Sequence, residues 1–407
     1  MGPSVHSGLM VVSAMGVPVC IITDTRAFGG TEVHTLSLIE ALVGRGHTIQ
    51  LVSCTFHCYD EPVAKMPWRD KVTITHAAGQ TNDAAPEAIE RWASLLATVT
   101  AEVVVVPKGD YRSGSVEFFE LCRRRFRRVC AIEHLEAEAL PPVHVRKLMG
   151  VIPLGLGLWW YRRTKDRRRA AAAVHRIVAV SAAVKNRLAG DWGIPAGKMV
   201  VVRNGVRWDQ FTFDAGLRQS FRSAQALEPD VFVFGMLTRL VPAKAVDVAI
   251  RSVAALLTRQ PTRQFLLVIA GEGEDRAALD ALVRELGVGG HVRFVGHADS
   301  RTALSAFDVI LFSSIREGLP LALLEGMASG AVPIVTAISG MPEAVSHPDL
   351  GWVVPPNHPE AMAEAMAAAM ATSDERWQAM RHAVVRHVSR EFDLESSRRR
   401  LCEALGL

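Results

Sequence analysis

Glu317-Gly-Leu-Pro-Leu-Ala-Leu-Leu-Glu325 is the stretch of this 407-residue chain from which the rest can be read. The apolar run before it, Val309 to Phe312, reads as a buried strand, and Ser313 to Gly318 as the loop that leaves it. Pro320 suits the first turn of a helix, where no amide hydrogen is needed for an internal bond. Leu321 to Ala328 continue that helix, and Gly330 is placed to end it. The expected order is strand, loop, helix, with one carboxylate on the loop and a second inside the helix. Free backbone amides between them make a positive helix N-terminus that can seat a phosphate. Two carboxylates flanking an anion seat suit a ligand with both hydroxyls and phosphates, as a nucleotide sugar has.

Outward from that unit, short β-branched runs alternate with Ala/Leu-rich segments. Strands are expected at 17–23, 48–53, 72–76, 102–106, 129–132, 177–180 and 199–202, then at 231–237, 265–270, 291–295, 308–312, 332–335 and 352–354. Helical patterns fall between them at 32–45, 86–98, 115–125, 182–189, 245–258, 275–286, 301–306 and 358–371. Such alternation argues for parallel sheets with crossover helices. One sheet of thirteen strands would be unusual, so the expected fold class is α/β with two Rossmann-like, doubly wound parallel-sheet domains facing a cleft. The join is expected near Asn204 to Phe213, giving domains at 1–205 and 206–388. Residues 373–407 read as a polar amphipathic tail, with a closing helix from Phe392 to Leu405.

Bulk properties exclude several classes. A net charge of +4 is too small to argue for nucleic acid. Six scattered cysteines lack the density of a disulfide scaffold. Cys54-x-x-x-Cys58 encloses His57, but no second ligand pair follows at zinc-like spacing, so free thiols, no metal and a reducing cytoplasm are expected. Residues 9–22 are apolar, yet no Lys or Arg precedes them and they end in Thr23-Asp24. Val17 to Thr23 therefore reads as a first strand rather than a signal peptide.

Further residues point to an anionic ligand. Phe28-Gly29-Gly30-Thr31 lies between a strand and a helix, and its glycines allow close backbone approach to a phosphate. It lacks the third glycine of a dinucleotide fingerprint, as does Gly271-Glu-Gly273. Arg239 and Lys244 flank a proline turn after strand 231–237, where a guanidinium and an ammonium can share two phosphates. A positive charge at a helix start opposes the dipole, which favours a functional reason for Lys244. His134, in Cys130-Ala-Ile-Glu-His134, stands at a strand's C-terminal end, where open α/β folds bind ligands.

Together these motifs resemble the retaining glycosyltransferases of family 4, which have the two-Rossmann GT-B architecture. Glu317 and Glu325 match the family's paired glutamates, and Arg239 to Lys244 its phosphate-binding Arg-x-x-x-x-Lys. Phe28-Gly-Gly-Thr-Glu32 is similar to its glycine loop, and Val202-Arg-Asn204-Gly-Val206 to its interdomain segment. One departure is visible: Ala245 follows the lysine where the family usually has glycine.

The resemblance implies an N-terminal acceptor domain, a C-terminal nucleotide-sugar donor domain, and a helix at 389–407 crossing back to the first domain. It implies that Glu317 holds hydroxyls of the donor sugar and Glu325 those of the ribose. Arg239, Lys244 and the amides of Gly318 and Leu319 would stabilise the leaving diphosphate. His134 would contact the transferred sugar, and the amides of Gly29 and Gly30 the distal phosphate. Base recognition would be through backbone around Val295 and Gly296. The implied activity is a metal-independent hexosyl transfer to a glycan, glycolipid or small-molecule acceptor, with a UDP-sugar favoured over GDP- or ADP-sugar and no cofactor. No Asp-x-Asp occurs in the chain, which accords with cationic side chains replacing a divalent ion. A GT-B-fold phosphorylase or epimerase, and a non-catalytic nucleotide-sugar-binding protein, are the other readings.

Two basic runs remain, Arg123-Arg-Arg-Phe-Arg-Arg128 and Arg162-Arg-Thr-Lys-Asp-Arg-Arg-Arg169. The second follows an apolar stretch containing Trp159 and Trp160. Either it is a solvated helix face, or residues 146–169 make a peripheral contact with the inner face of a membrane.

Overall fold

The computed structural model describes residues 16–24, 28–54, 57–109, 112–137, 147–148, 152–153, 156–228, 230–261 and 263–407. All thirteen apolar runs become strands, divided between two parallel sheets. The first sheet has the spatial order Val72–Ala77, Ile49–Cys54, Val19–Thr23, Val103–Lys108, Arg128–Glu133, Arg176–Ala179, Met199–Val201. The second runs Val292–Gly296, Phe265–Ala270, Phe232–Leu237, Val309–Phe312, Val332–Thr336, Trp352–Val354. In both, the domain's first strand sits inside the sheet, and the order reverses beside it. That reversal leaves a crevice at the strands' C-terminal ends. Val19–Thr23 and Phe265–Ala270 are buried along their whole length, as strands covered on both faces by helices must be.

The expected helical patterns all form helices, with ends shifted by at most two residues. Among the described residues, five helices escape that reading: Asp60–Ala64, Leu156–Ala173, Ala215–Ala224, Met341–Ala344 and Asp374–Glu391. The last buries Trp377, Met380, Val384 and Val388 on one face, with the Ser373 hydroxyl accepting from the Arg376 amide. The closing helix itself spans Leu394–Leu405. Pro320 is the N-cap residue, at φ −64° and ψ 130°, rather than a member of the first turn; the helix begins at Leu321. A proline's fixed φ is compatible with either position, and its extended ψ excludes it from the helix.

Two chain crossings join the sheets and run side by side. The Val206 amide donates to the Phe392 carbonyl at 2.9 Å, and the Leu394 amide donates back to the Val206 carbonyl at 3.2 Å. A Cβ on Gly205 would come within 2.7 Å of Leu394 Cα, so glycine is needed for this approach. Beyond the crossing, helix Leu394–Leu405 packs on the first domain. Arg398 Nε donates to Ser37 Oγ at 2.9 Å, and Arg128 Nη1 to the Leu405 carbonyl at 2.8 Å.

Candidate functional site

Strand Val309–Phe312 delivers the Ser313–Gly318 loop to the crevice, where it is stitched to the Arg239–Lys244 turn. Ser313 Oγ donates to the Lys244 carbonyl at 3.0 Å, and the Ile315 amide to the Ala243 carbonyl at 3.0 Å. Two segments about seventy residues apart thus share one rigid corner. At that corner Lys244 Nζ lies 2.5 Å from Glu317 Oε1, and Ser314 Oγ donates to the same oxygen at 2.8 Å. The Glu317 side chain is buried, while that of Lys244 keeps 19% of its surface exposed. Ala245, next in the chain, has φ +45° and ψ +48°, the left-handed conformation that glycine adopts without strain. This is the physical content of the glycine that usually follows the lysine.

Arg239 is exposed at the end of strand Phe232–Leu237, and its guanidinium has no ion-pair partner among the described residues. Its backbone is held by the glycines of Gly271-Glu-Gly273. A Cβ on Gly271 would lie 1.8 Å from the Thr238 carbonyl oxygen, and one on Gly273 2.2 Å from that of Leu240. Those glycines fail as a dinucleotide fingerprint because they serve as the seat of the Arg239 loop.

Gly318 cannot be any other residue here. A Cβ would fall 1.8 Å from the His134 carbonyl oxygen, in the opposite domain. Its own carbonyl accepts from the Gly340 amide at 2.6 Å, and the Leu319 carbonyl accepts from Asn204 Nδ2 at 2.7 Å. The amides of Gly318 and Leu319 donate to no partner among the described residues, which leaves two N–H groups for an anion. The Glu317 carbonyl accepts from the Glu136 amide at 2.8 Å, and Glu136 also binds Ser339 Oγ and, at 2.8 Å, Arg187 Nε. Asn204, Glu136 and Gly340 are positioning residues that pattern reading missed as such. Asn204 and Glu136 reach the loop from the first-domain side and Gly340 from within the second domain, so only the Val202–Val206 segment left a signal.

Glu325 lies one turn into helix Leu321–Ala328, and its carboxylate makes no hydrogen bond or ion pair among the described residues. Burial alone raises its pKa to about 7, and no neighbouring cation opposes the shift. The structure therefore brings Lys244 to Glu317, and leaves Glu325 and Arg239 as separate groups. Glu325 faces a cavity of about 780 Å³ that runs between the domains past Phe28, His34, Met66, Trp68 and Leu321. Arg239, Lys244 and Glu317 are not on its walls.

Across the crevice His134 follows strand Arg128–Glu133 and is buried, with Nε2 3.0 Å from His34 Nδ1. Its own Nδ1 is buried with no hydrogen-bond partner among the described residues. Burial, helped by the neighbouring His34, holds His134 well below the usual imidazole range; burial also lowers His34 to about 4. Both rings are neutral at neutral pH. Gly29 caps helix Gly30–Gly44 at φ −166°, and a Cβ at Gly30 would meet nothing within 4 Å. That space is open above the helix start. Gly296 ends strand Val292–Gly296 at φ +69°, its carbonyl accepting from the Gly271 amide at 2.7 Å.

Part of each basic run is engaged by the protein. Arg125 donates to the Leu96 carbonyl at 3.1 Å, and Arg167 to those of Ser113 and Gly114 at 3.3 and 3.2 Å. Arg169 lies 3.4 Å from Glu120. The side chains of Trp159 and Trp160 fall outside the described residues. Among the described residues no helix is long and apolar enough to cross a membrane. All six cysteines are free, and burial pushes the Cys54 thiol upward, away from a thiolate.

Known proteins share this arrangement. The family model for Glycosyltransferase Family 4 matches residues 28–210, and that for Glycosyl transferases group 1 matches residues 218–384. A D-inositol 3-phosphate glycosyltransferase of Actinosynnema mirum is 31% identical over 215 residues, 50% of this chain and 51% of that protein. The chain spans about half the length of the curated relatives it matches. Among solved structures, a glycosyltransferase of Rickettsia africae superimposes with a TM-score of 0.75 at 18% identity, covering 96% of this chain and 97% of that one. Anabaena HepE in complex with UDP and glucose gives 0.74 at 15% identity, covering 96% and 99%. With one domain matched by each family model and both sheets superimposed on solved GT-B structures, the chain belongs to the family 4-type glycosyltransferases of GT-B architecture.

Proposed function

We propose that this protein moves a hexose from a nucleotide-diphosphate sugar, by preference a UDP-sugar, to an acceptor hydroxyl with retention of anomeric configuration. The observation that carries the reading is the corner where Lys244 Nζ meets Glu317 Oε1 at 2.5 Å, with Gly318 seated on the His134 carbonyl of the other domain. Groups suited to a diphosphate and groups suited to a sugar there share one place.

Without donor, Lys244 and Glu317 neutralise one another. A bound donor gives Lys244 a diphosphate partner and frees Glu317 to accept from sugar hydroxyls. The exposed Arg239 and the amides of Gly318 and Leu319 add donors for the same diphosphate. As the bond from the anomeric carbon to the phosphate oxygen breaks, charge grows on that oxygen, and donors fixed in advance stabilise it without reorganising. The acceptor hydroxyl attacks from the face the diphosphate leaves, and its proton passes to the departing phosphate oxygen. Neutral His134 can hydrogen-bond a sugar hydroxyl without adding positive charge beside the reacting carbon. Glu325 takes the ribose hydroxyls, the amides of Gly29 and Gly30 approach the distal phosphate, and Gly296 with Val295 faces the base.

The acceptor is a glycan, glycolipid or small molecule. The cavity favours one with an apolar part, and Trp68 Nε1 on its wall has no partner among the described residues. Arg162 and Lys165 stay exposed and supply the cationic face for a peripheral membrane contact through 146–169. UDP bound to HepE supports the choice of base, and the named activity of the Actinosynnema relative supports transfer to a hydroxyl.

A thermal-shift panel of UDP-, GDP- and ADP-sugars is expected to give its largest rise with a UDP-sugar. NMR of the product is expected to show the donor's anomeric configuration. An inverted product, or no shift with any of these donors, would refute the proposal.

A further inference from the structure

His57, Asp60 and His76 converge on the first domain in a way hydrogen bonding does not satisfy. His57 Nδ1 is 3.1 Å from His76 Nε2 and 3.0 Å from Asp60 Oδ2, and His76 Nε2 is 3.3 Å from Asp60 Oδ1. The rings lie with centroids 3.9 Å apart, tilted by 50°. Each ring nitrogen offers one in-plane direction, for either one proton or one lone pair. Two nitrogens facing each other while both also face a carboxylate make three contacts, and protons can align with at most two of them. A single cation at the centre of the triangle satisfies all three ligands at once.

We propose that these residues form a site for a divalent transition metal of the zinc class. Ligand atoms bonded at 2.0–2.1 Å to a tetrahedral ion stand about 3.3 Å apart, close to the three separations seen. Two imidazoles and one carboxylate are the donor set of zinc, cobalt and nickel. Calcium and magnesium require more oxygen, and copper(I) more sulfur. Three protein ligands leave a fourth position for water or a ligand group.

Local sequence spacing hides this site, because the third ligand arrives through the sheet. Strand Ile49–Cys54 pairs in parallel with Val72–Ala77, Ser53 opposite His76. His57, just past the end of the first strand, folds over its neighbour, and Asp60 begins the short helix Asp60–Ala64 that follows. Cys54 is buried and does not join the cluster. The metal would fasten the segment carrying Met66 and Trp68 to the edge strand. His57 stands on the wall of the same cavity, so the ion would stiffen that wall and play no part in the departure of a diphosphate.

The test uses the full chain without a histidine tag, stripped by a chelator and then titrated with zinc chloride in a calorimeter. One zinc per chain at micromolar affinity is expected, with a rise in thermal midpoint on saturation. Cobalt(II) loading is expected to give the visible absorption of a four-coordinate ion. His76→Gln and Asp60→Asn are each expected to lose the calorimetric signal, the thermal rise and the cobalt spectrum, while their far-ultraviolet dichroism matches that of the wild type. Wild-type protein that takes up no zinc at micromolar concentrations overturns the proposal. So does equal uptake by both variants, which would mean adventitious surface binding. Because the readout is metal binding, either result leaves the assignment of sugar transfer untouched.

Discussion

Two lysine–glutamate pairs, one in each domain, have nearly the same length and different meanings. Lys108 and Glu133 meet at 2.6 Å, with side chains 7% and 4% exposed. Lys244 and Glu317 meet at 2.5 Å, with side chains 19% and 5% exposed. The first pair sits in register on adjoining strands, and burial draws Lys108 below the usual lysine range although Glu133 opposes the shift. Both of its ends are sealed, so it can only hold structure. The second pair is open at the cation, so an incoming anion can take the lysine from its carboxylate. On the proposed function, access to one partner, and not length, separates the pair that works from the pair that holds structure.

The comparison can be broken most directly at the sealed pair. Lys108→Met leaves Glu133 buried without its partner and is expected to cost roughly 3–5 kcal/mol in denaturant unfolding. The double variant Lys108→Met/Glu133→Leu should recover most of that, since apolar residues can replace a buried pair. A cost within a few tenths of a kcal/mol for the single variant would remove the distinction. At the open pair the loss should fall on turnover. Lys244→Met is expected to lower kcat/KM about 10²–10³-fold, the effect of deleting one donor aimed at developing charge. Near-normal turnover would show that the cation is not handed over.

Glu325 sharpens the contrast, because it is a carboxylate enclosed without any cation. Its folded-state pKa of about 7 stands above the ordinary 4.5, so the folded protein holds the proton more tightly than the unfolded chain. Stability must then fall as pH rises between those values. Relative to Glu325→Gln, the unliganded wild type should lose roughly 2–3 kcal/mol between about pH 4.5 and about pH 8. Parallel pH profiles from urea unfolding would contradict this. The smallest effect belongs to the residue after the open lysine. Ala245→Gly releases a left-handed alanine and is expected to change stability by only about 1 kcal/mol, in the stabilising direction, with turnover kept. A destabilised Ala245→Gly would mean that the turn is held for another reason.

Much of this architecture was legible because it is local. Buried parallel strands must be continuously apolar, so Val309 to Phe312 and its counterparts stand out against their polar flanks. Helix Asp374–Glu391 was missed because its buried positions, Trp377, Met380, Val384 and Val388, are sparse among charged residues. At the site, Glu317, Gly318, Lys244 and His134 are motif residues and could be named in advance. Their partners could not. His34 lies 100 residues from His134, and Asn204 lies 115 residues from the Leu319 carbonyl it supports. Within the basic run at 162–169 the partners of Arg167 were hidden for the same reason, since the carbonyls of Ser113 and Gly114 that hold it are remote in sequence.

Residue order alone determined the periodicity of strands and helices, the placement of glycine and proline at their ends, and the kinds of charged group offered to a ligand. These follow from steric and hydration preferences within a few neighbouring residues. Only the folded chain decided which charges pair, which are sealed from water, and which groups meet from separate segments, as His57 and His76 do beside two paired strands. Pairing and burial depend on distances between segments far apart in the chain, and those distances are set by how the two sheets pack.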